Sequence, residues 1–131
     1  MTAPATGVFP YAPSVVHDYL VSVLDADVRV ATKVPAKRPA KLVTITSVPA
    51  GDLNNVALSA RRLILQCYHA DEVVAGQLAE TVFAHMKSAK YVQGNGLRNV
   101  TVVGTPARLD DPDDSTPRFQ MTVDVLLRAA F

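Results

Sequence analysis

Hydrophobic positions recur along this chain with two different periods, and the change of period marks out its elements. Phe119, Met121, Val123, Val125 and Leu127 fall on one side of an alternating run. The other side holds Gln120, Thr122, Asp124 and Arg128, with Leu126 the exception. Period two is the signature of a half-buried strand. Leu63, Leu65 and Cys67 alternate in the same way against Arg62, Ile64, Gln66 and Tyr68, which predicts a strand over 59–68 with Cys67 facing the core. The segment 42–48, rich in Val, Ile and Thr, reads as another strand. Val28 and Val30, extended to Val34, suggest one before it, and 97–103 suggests one ahead of the last.

Two stretches follow the helical period instead. Val15, Val16, Tyr19, Leu20, Val23 and Leu24 make one apolar stripe behind a candidate cap at Ser14, predicting a short helix that ends near Asp25. Asp71 caps a longer one, whose buried stripe is Val74, Leu78, Val82 and Met86, widened by Ala75, Ala79 and Phe83. Gly76 weakens that helix by roughly 1 kcal/mol relative to alanine. Breaks separate these elements: Pro35 and Pro39, the segment 49–55 with Pro49, Gly51, Asp52 and the Asn54–Asn55 pair, the Gly94-Asn95-Gly96 cluster, and the run from Asp110 to Pro117.

The order helix, strand, strand, strand, helix, strand, strand predicts an α+β domain. Its sheet is expected to be mostly antiparallel, of about five strands, with the two helices packed on one face. Residues 1–13, with Pro4, Pro10 and Pro13 among small residues, read as a flexible N-terminal arm, and 14–131 as a single domain.

Composition adds bounds to this picture. The chain has 131 residues, 49% hydrophobic and 19% charged, which suits one domain with a real core and excludes disorder throughout. A formal net charge of +1 gives no global drive toward nucleic acid or anionic membrane, so any such contact needs a local patch. The single cysteine excludes an internal disulfide. The N-terminus lacks a basic start and a long apolar run, and no apolar stretch approaches the roughly 20 residues of a membrane helix. Cytoplasmic synthesis without membrane insertion is the expectation.

Catalytic chemistry finds little support. Cys67 sits at an inward strand position, where a small hydrophobe is the simpler reading than a nucleophile. His17, His69 and His85 have no partner at a metal-binding or acid–base spacing and read as surface residues. The aspartates between 110 and 114 lack the spaced ligands, central glycine and distal glutamate of a calcium loop. Gly94 and Gly96 lack the third glycine and helix of a nucleotide loop. No catalytic residue, cofactor or metal ligand is assigned.

Charge is concentrated in two loops. Lys33, Lys37, Arg38 and Lys41 form a proline-stiffened basic loop, a candidate contact surface without the interleaved aromatics that would stack on bases. Asp110, Asp111, Asp113 and Asp114 surround Pro112 in an acidic loop ahead of Arg118. Four carboxylates so close repel one another and gain nothing from burial, so this loop is expected to be solvated and turned outward. If the two loops met within one subunit, they would be an ordinary surface pairing worth about 0 to 1 kcal/mol per exposed pair. Held apart, they would invite head-to-tail contact between copies, which closes into rings.

Three runs carry a family resemblance: VPAKRPAKLVTIT over 34–46, RRLILQCYHADEVVAGQLAETVFAHM over 61–86, and ARLDDPDDSTPRFQMTVDVLLR over 107–128. Their shared features are Pro35, Arg38 and Pro39 before a strand, Asp71 and Glu72 opening a helix after a strand, and an Asp-Pro-Asp loop leading to Pro117, Arg118 and Phe119. In order and spacing these resemble the tail terminator proteins of long-tailed bacteriophages, from about Val28 onward.

The resemblance implies a structural, non-enzymatic virion protein, assembled in the host cytoplasm and located at the head–tail junction. It would form a hexameric ring on the finished tail tube, stop tube polymerisation and present the surface that joins the tail to the head. Its partners would be further copies of itself, the tail tube protein and head completion or connector proteins. Genomic DNA would pass the channel without specific binding, and no membrane or cofactor is involved. In that setting Asp110, Asp111, Asp113, Asp114 and Arg118 become a candidate subunit-interface or channel-facing loop, where like charge would keep DNA from adhering. The alternatives are a head completion or neck protein of the same size, which also forms rings, and a small-molecule-binding α+β module.

Overall fold

The computed structural model describes residues 6–50 and 53–131. Pro4 of the expected arm and Gly51 and Asp52 of the expected turn lie outside these residues. The elements are α1 (Ala12–Val23), β1 (Val28–Ala31), β2 (Lys41–Val48), β3 (Leu58–Tyr68), α2 (Glu72–Ser88), a 3₁₀ turn (Ala89–Tyr91), β4 (Asn99–Arg108) and β5 (Arg118–Arg128). They build the α+β fold expected from the periodicity.

The five strands form one sheet in the order β1-β2-β3-β5-β4. Only β1 and β2 run parallel; the other three pairings are antiparallel. Strand alternation decides which side chains meet the helices. Val43 and Ile45 of β2, Leu63, Leu65 and Cys67 of β3, and Met121, Val123, Val125 and Leu127 of β5 all project to one side. They share one buried cluster with Val16, Tyr19 and Leu20 of α1 and Leu78, Ala79, Val82 and Met86 of α2. Both helices therefore cover the same face. Burying each large aliphatic side chain stabilises the domain by about 1.5–3 kcal/mol.

The helix ends show how local chemistry sets boundaries. Asp71 caps α2 as expected: its Oδ1 accepts from the amides of Val73 at 2.9 Å and Val74 at 3.2 Å. Ser14 does not cap α1. That helix opens two residues earlier, at Ala12, with Tyr11 at the cap and no side-chain bond. Pro13 falls in the first turn, where its missing N–H has no intrahelical partner to lose. Ser14 and Val15 donate instead to the Tyr11 carbonyl. In α2, Val74 and Phe83 are only half-buried, and Ala75 takes the buried position at the start of the stripe.

Two other boundaries also move. Val34 stands outside β1 and is exposed. The strand expected over 97–103 runs on to Arg108, through Gly104 and Pro106. Register shifts between Val102 and Gly104 and between Gly104 and Ala107 absorb both residues on an edge strand, where a proline removes no ladder bond that a second neighbour needs. At the end of β5 the chain entering α1 is tied in: Val8 and Ala130 exchange both backbone hydrogen bonds at 2.9 Å.

Candidate functional site

The helix-free face of the sheet, together with the loops at one end of it, is the chain's candidate site. Strand pairing places Thr44, Gln66 and Gln120 side by side across β2, β3 and β5. Gln66 Nε2 donates to Gln120 Oε1 at 2.9 Å, while Thr44 and Tyr68 hydroxyls donate to Gln66 Oε1 at 3.4 and 3.2 Å. Further along, Arg62 clasps Asp124 through two bonds of 2.9 and 3.0 Å, a fork that fixes the neighbouring strands. Ile64, Thr122 and Leu126 lie half-buried on the same face. Cross-strand pairs of this kind pre-order this polar face, in which Thr44 and Tyr68 are buried and Gln66 and Gln120 half-buried.

Arg38 closes one end of that face. Its guanidinium carbon lies 4.9 Å from the centre of the Tyr68 ring. One terminal nitrogen donates to Asp111 Oδ2 at 2.8 Å, and the other to Asp114 Oδ2 at 3.1 Å and Thr116 Oγ1 at 3.0 Å. Arg118, directly across from Tyr68 in the β3–β5 register, approaches the same ring at 5.8 Å and donates from Nε to the Leu109 carbonyl. Planar guanidinium groups can stack and bond at once, which a lysine could not reproduce.

The acidic loop is therefore not the uniformly solvated segment expected from its sequence. Asp111 is 6% exposed. Its Oδ1 accepts from the Asp113 amide, and its backbone bonds to Thr116 and Ser115 close the loop, with Ser115 in the left-handed region at φ 60°. Repulsion among the four carboxylates is relieved because two arginines divide them. Arg38 takes Asp111 and Asp114, while Arg108 takes Asp110 at 2.8 Å and reaches Glu72 at 2.8 Å. The Arg108 hydrogen bond holds the Asp110 carboxyl below its ordinary range, and the Thr116 amide does the same for Asp114. Of the four, only Asp113 has an exposed carboxylate without a bonded partner among the described residues.

The basic loop divides likewise. Arg38 is committed to the acidic loop and Lys41 pairs with Asp27 at 3.1 Å, whereas Lys33 and Lys37 are exposed and carry no ion pair among the described residues. The two loops meet within one chain through Arg38, as in the intrasubunit pairing considered from sequence. Arg38, Asp111 and Asp114 are thus already matched, and a head-to-tail contact between copies does not have them as free charges.

The reactive side chains are occupied structurally. Cys67 is fully buried, and burial pushes its thiol up to about 12. His17 Nδ1 lies 3.0 Å from Asp18, and His69 Nδ1 accepts from the Asp71 amide, so that it supports the α2 cap. Tyr19 donates its hydroxyl to the His85 carbonyl at 2.7 Å. Among the described residues no three His, Cys, Asp or Glu side chains converge as metal ligands. A cleft of about 420 Å³ opens between the end of α1 and the outer side of α2, with Val23, Asp25, Val73, Gln77 and His85 in its walls.

Sequence reasoning missed three features of this surface. The glutamine pair was visible only as polar residues at matching parity. Arg62–Asp124 required the β3–β5 register. A cationic group formed by Lys90, Arg98 and Arg128 is spread over 39 positions and shows no local charge run. No helix among the described residues is long and apolar enough to cross a membrane. No protein-family model matches the chain, and no curated protein matches it.

Proposed function

We propose that this chain is a structural, non-enzymatic subunit of a tailed-phage particle. In this reading it is a tail terminator that packs into a hexameric ring on the tail tube, ends tube growth and offers the tail-side surface for head joining. The observation that carries the proposal is the unequal treatment of the two sheet faces. Both helices cover one face, while the other is a hydrogen-bonded polar face with Gln66, Gln120, Ile64, Thr122 and Leu126 left half-buried. Such a face suits a protein neighbour better than a small ligand, because its polar groups are already ordered by hydrogen bonds and none of its described residues encloses a concavity. The edge strand β4 adds exposed Val102 and Val103 to the surface available for lateral packing.

The stiff loops support the same reading. Arg38 fixes the acidic loop in one shape, and preordered loops reduce the entropy lost when subunits associate. With three of its four aspartates paired, the loop presents Asp113 as its main free charge.

Interrupting the gene in the parent phage and measuring tails by negative-stain electron microscopy tests the proposal. Overlong, variable tubes beside tailless filled heads are the expected result. Tails of normal length that fail to attach, or heads that leak DNA, would assign the protein to the head side of the neck instead.

A further inference from the structure

The acidic loop joins β4 to β5 at one end of the sheet. Arg98, just ahead of β4, and Arg128, the last residue of β5, lie at the other. Strands of this length separate the two ends by roughly 30 Å. Arg98 is held beside the end of β5 by its amide, which donates to the Leu126 carbonyl at 3.0 Å. Lys90, in the 3₁₀ turn after α2, completes the group: all three cations line one open depression of about 550 Å³, with Gln93, Gly94 and Asn95. Asn95 fixes this wall by donating from Nδ2 to the Ala89 carbonyl at 2.6 Å and accepting from the Leu97 amide at 2.8 Å.

Together with Lys33 and Lys37, these three are among the cations that no carboxylate matches among the described residues. Arg38, Lys41, Arg62 and Arg108 each pair with a carboxylate. Arg98 and Arg128 carry no ion pair among the described residues, and Lys90 contacts only the face of the exposed Tyr91 ring, 5.2 Å away. No aspartate or glutamate lines the depression. Asp18, across the Gly94–Gly96 turn, is bonded to His17. Gly94 leaves the rim bare, since a Cβ there would meet nothing within 4 Å. Like charges gathered on adjoining elements repel unless an anion lies between them.

We infer that Lys90, Arg98 and Arg128 form a binding surface for the phosphodiester backbone of double-stranded DNA, used without sequence readout. Three cations on an open, carboxylate-free rim match a row of phosphates better than a single small anion, which calls for an enclosed cradle. The three cations supply charge to the backbone phosphates, so the contact is electrostatic and salt-dependent. The inference stands on charge placement alone and does not depend on the ring or on tube termination. It also orients the subunit, with DNA meeting the end that carries Arg98 and Arg128.

Fluorescence anisotropy of a labelled random-sequence duplex, titrated with the intact protein at several salt concentrations, tests this. Three phosphate contacts give a log–log slope of about −2.7, so a fourfold rise in salt weakens binding about 40-fold. In K90Q/R98Q/R128Q the slope should fall toward zero, with a thermal midpoint unchanged from the parent protein. K33Q/K37Q, which removes two exposed cations elsewhere, should keep most of the slope. Three results would overturn the inference: no binding by the parent protein at low salt, equal binding by the triple variant, or loss of binding only in K33Q/K37Q. A triple variant that keeps DNA affinity but loses self-association would assign the patch to an acidic surface of a second copy.

Discussion

Arg38 reaches across the chain to bond Asp111 Oδ2 at 2.8 Å, with its guanidinium stacked on Tyr68 and the carboxylate almost fully withdrawn from water. This pair joins the β1–β2 loop to the β4–β5 loop over the same end of the sheet. Its two members differ in exposure, with side-chain values of 26% for Arg38 and 8% for Asp111. Losing the arginine therefore strands a buried negative charge, whereas losing the aspartate leaves a cation that can turn to solvent. Arg38→Ala is expected to lower unfolding free energy by about 2–4 kcal/mol, more than Asp111→Asn does. Arg38→Lys should recover only part of the loss, because an ammonium cannot both stack and fork. Urea unfolding of the three variants checks the order, and equal stability of Arg38→Ala and the parent would contradict it.

Acid should loosen the same loop. The folded protein holds Asp110 and Asp114 below the ordinary value of 3.8, through Arg108 and through the Thr116 amide. A depressed folded value means the unfolded chain takes up the proton first as pH falls. The contribution is complete above the unfolded value and is lost as pH drops through the folded ones. Thermal midpoints should therefore hold steady at neutral pH and decline below about pH 4. Asp114→Asn should show a shallower decline in that acid window, measured by circular dichroism melts.

Cys67 should report global opening. At 0% exposure, with its thiol pushed up to about 12, it offers no thiolate to a reagent at neutral pH. Labelling by a thiol-specific disulfide reagent is expected only as denaturant unfolds the sheet, in step with the loss of circular dichroism. Cys67→Ser, which places a hydroxyl in the apolar core between the register partners Val43 and Phe119, should cost about 1–3 kcal/mol. Rapid labelling of the native protein would mean that β3 opens locally.

The contrast between these residues explains what the sequence could disclose. Alternation in β3 and β5 and the Asp71 cap depend on neighbours a few positions away, so period and cap chemistry identified them directly. Asp111 depends on Arg38, which is 73 positions distant, and four adjacent aspartates read alone suggest only repulsion. Lys90, Arg98 and Arg128 pose the same difficulty, since they converge through the fold rather than through a local run. The α1 start differs for a more local reason: Ser14 has cap chemistry, but Pro13 is better placed inside a first turn than ahead of one.

Gly76 illustrates a cost that packing imposes on a helix. Alanine at this half-buried helix position would ordinarily gain about 1 kcal/mol in helix propensity. Here a Cβ would stand 3.2 Å from Phe119 Cζ, closer than the ring accepts without moving. The glycine lets α2 settle onto the start of β5, next to Arg118 and the loop that Arg38 closes. In Gly76→Ala the propensity gain and the displaced ring therefore oppose each other, and the net change should fall clearly short of about 1 kcal/mol. Phe119→Leu removes the ring edge. In that background the same alanine should recover most of the propensity gain, giving a favourable coupling between the two sites in a double-mutant cycle. Additive effects in denaturant unfolding would show that the ring does not restrain the helix, and would leave the glycine without a packing reason.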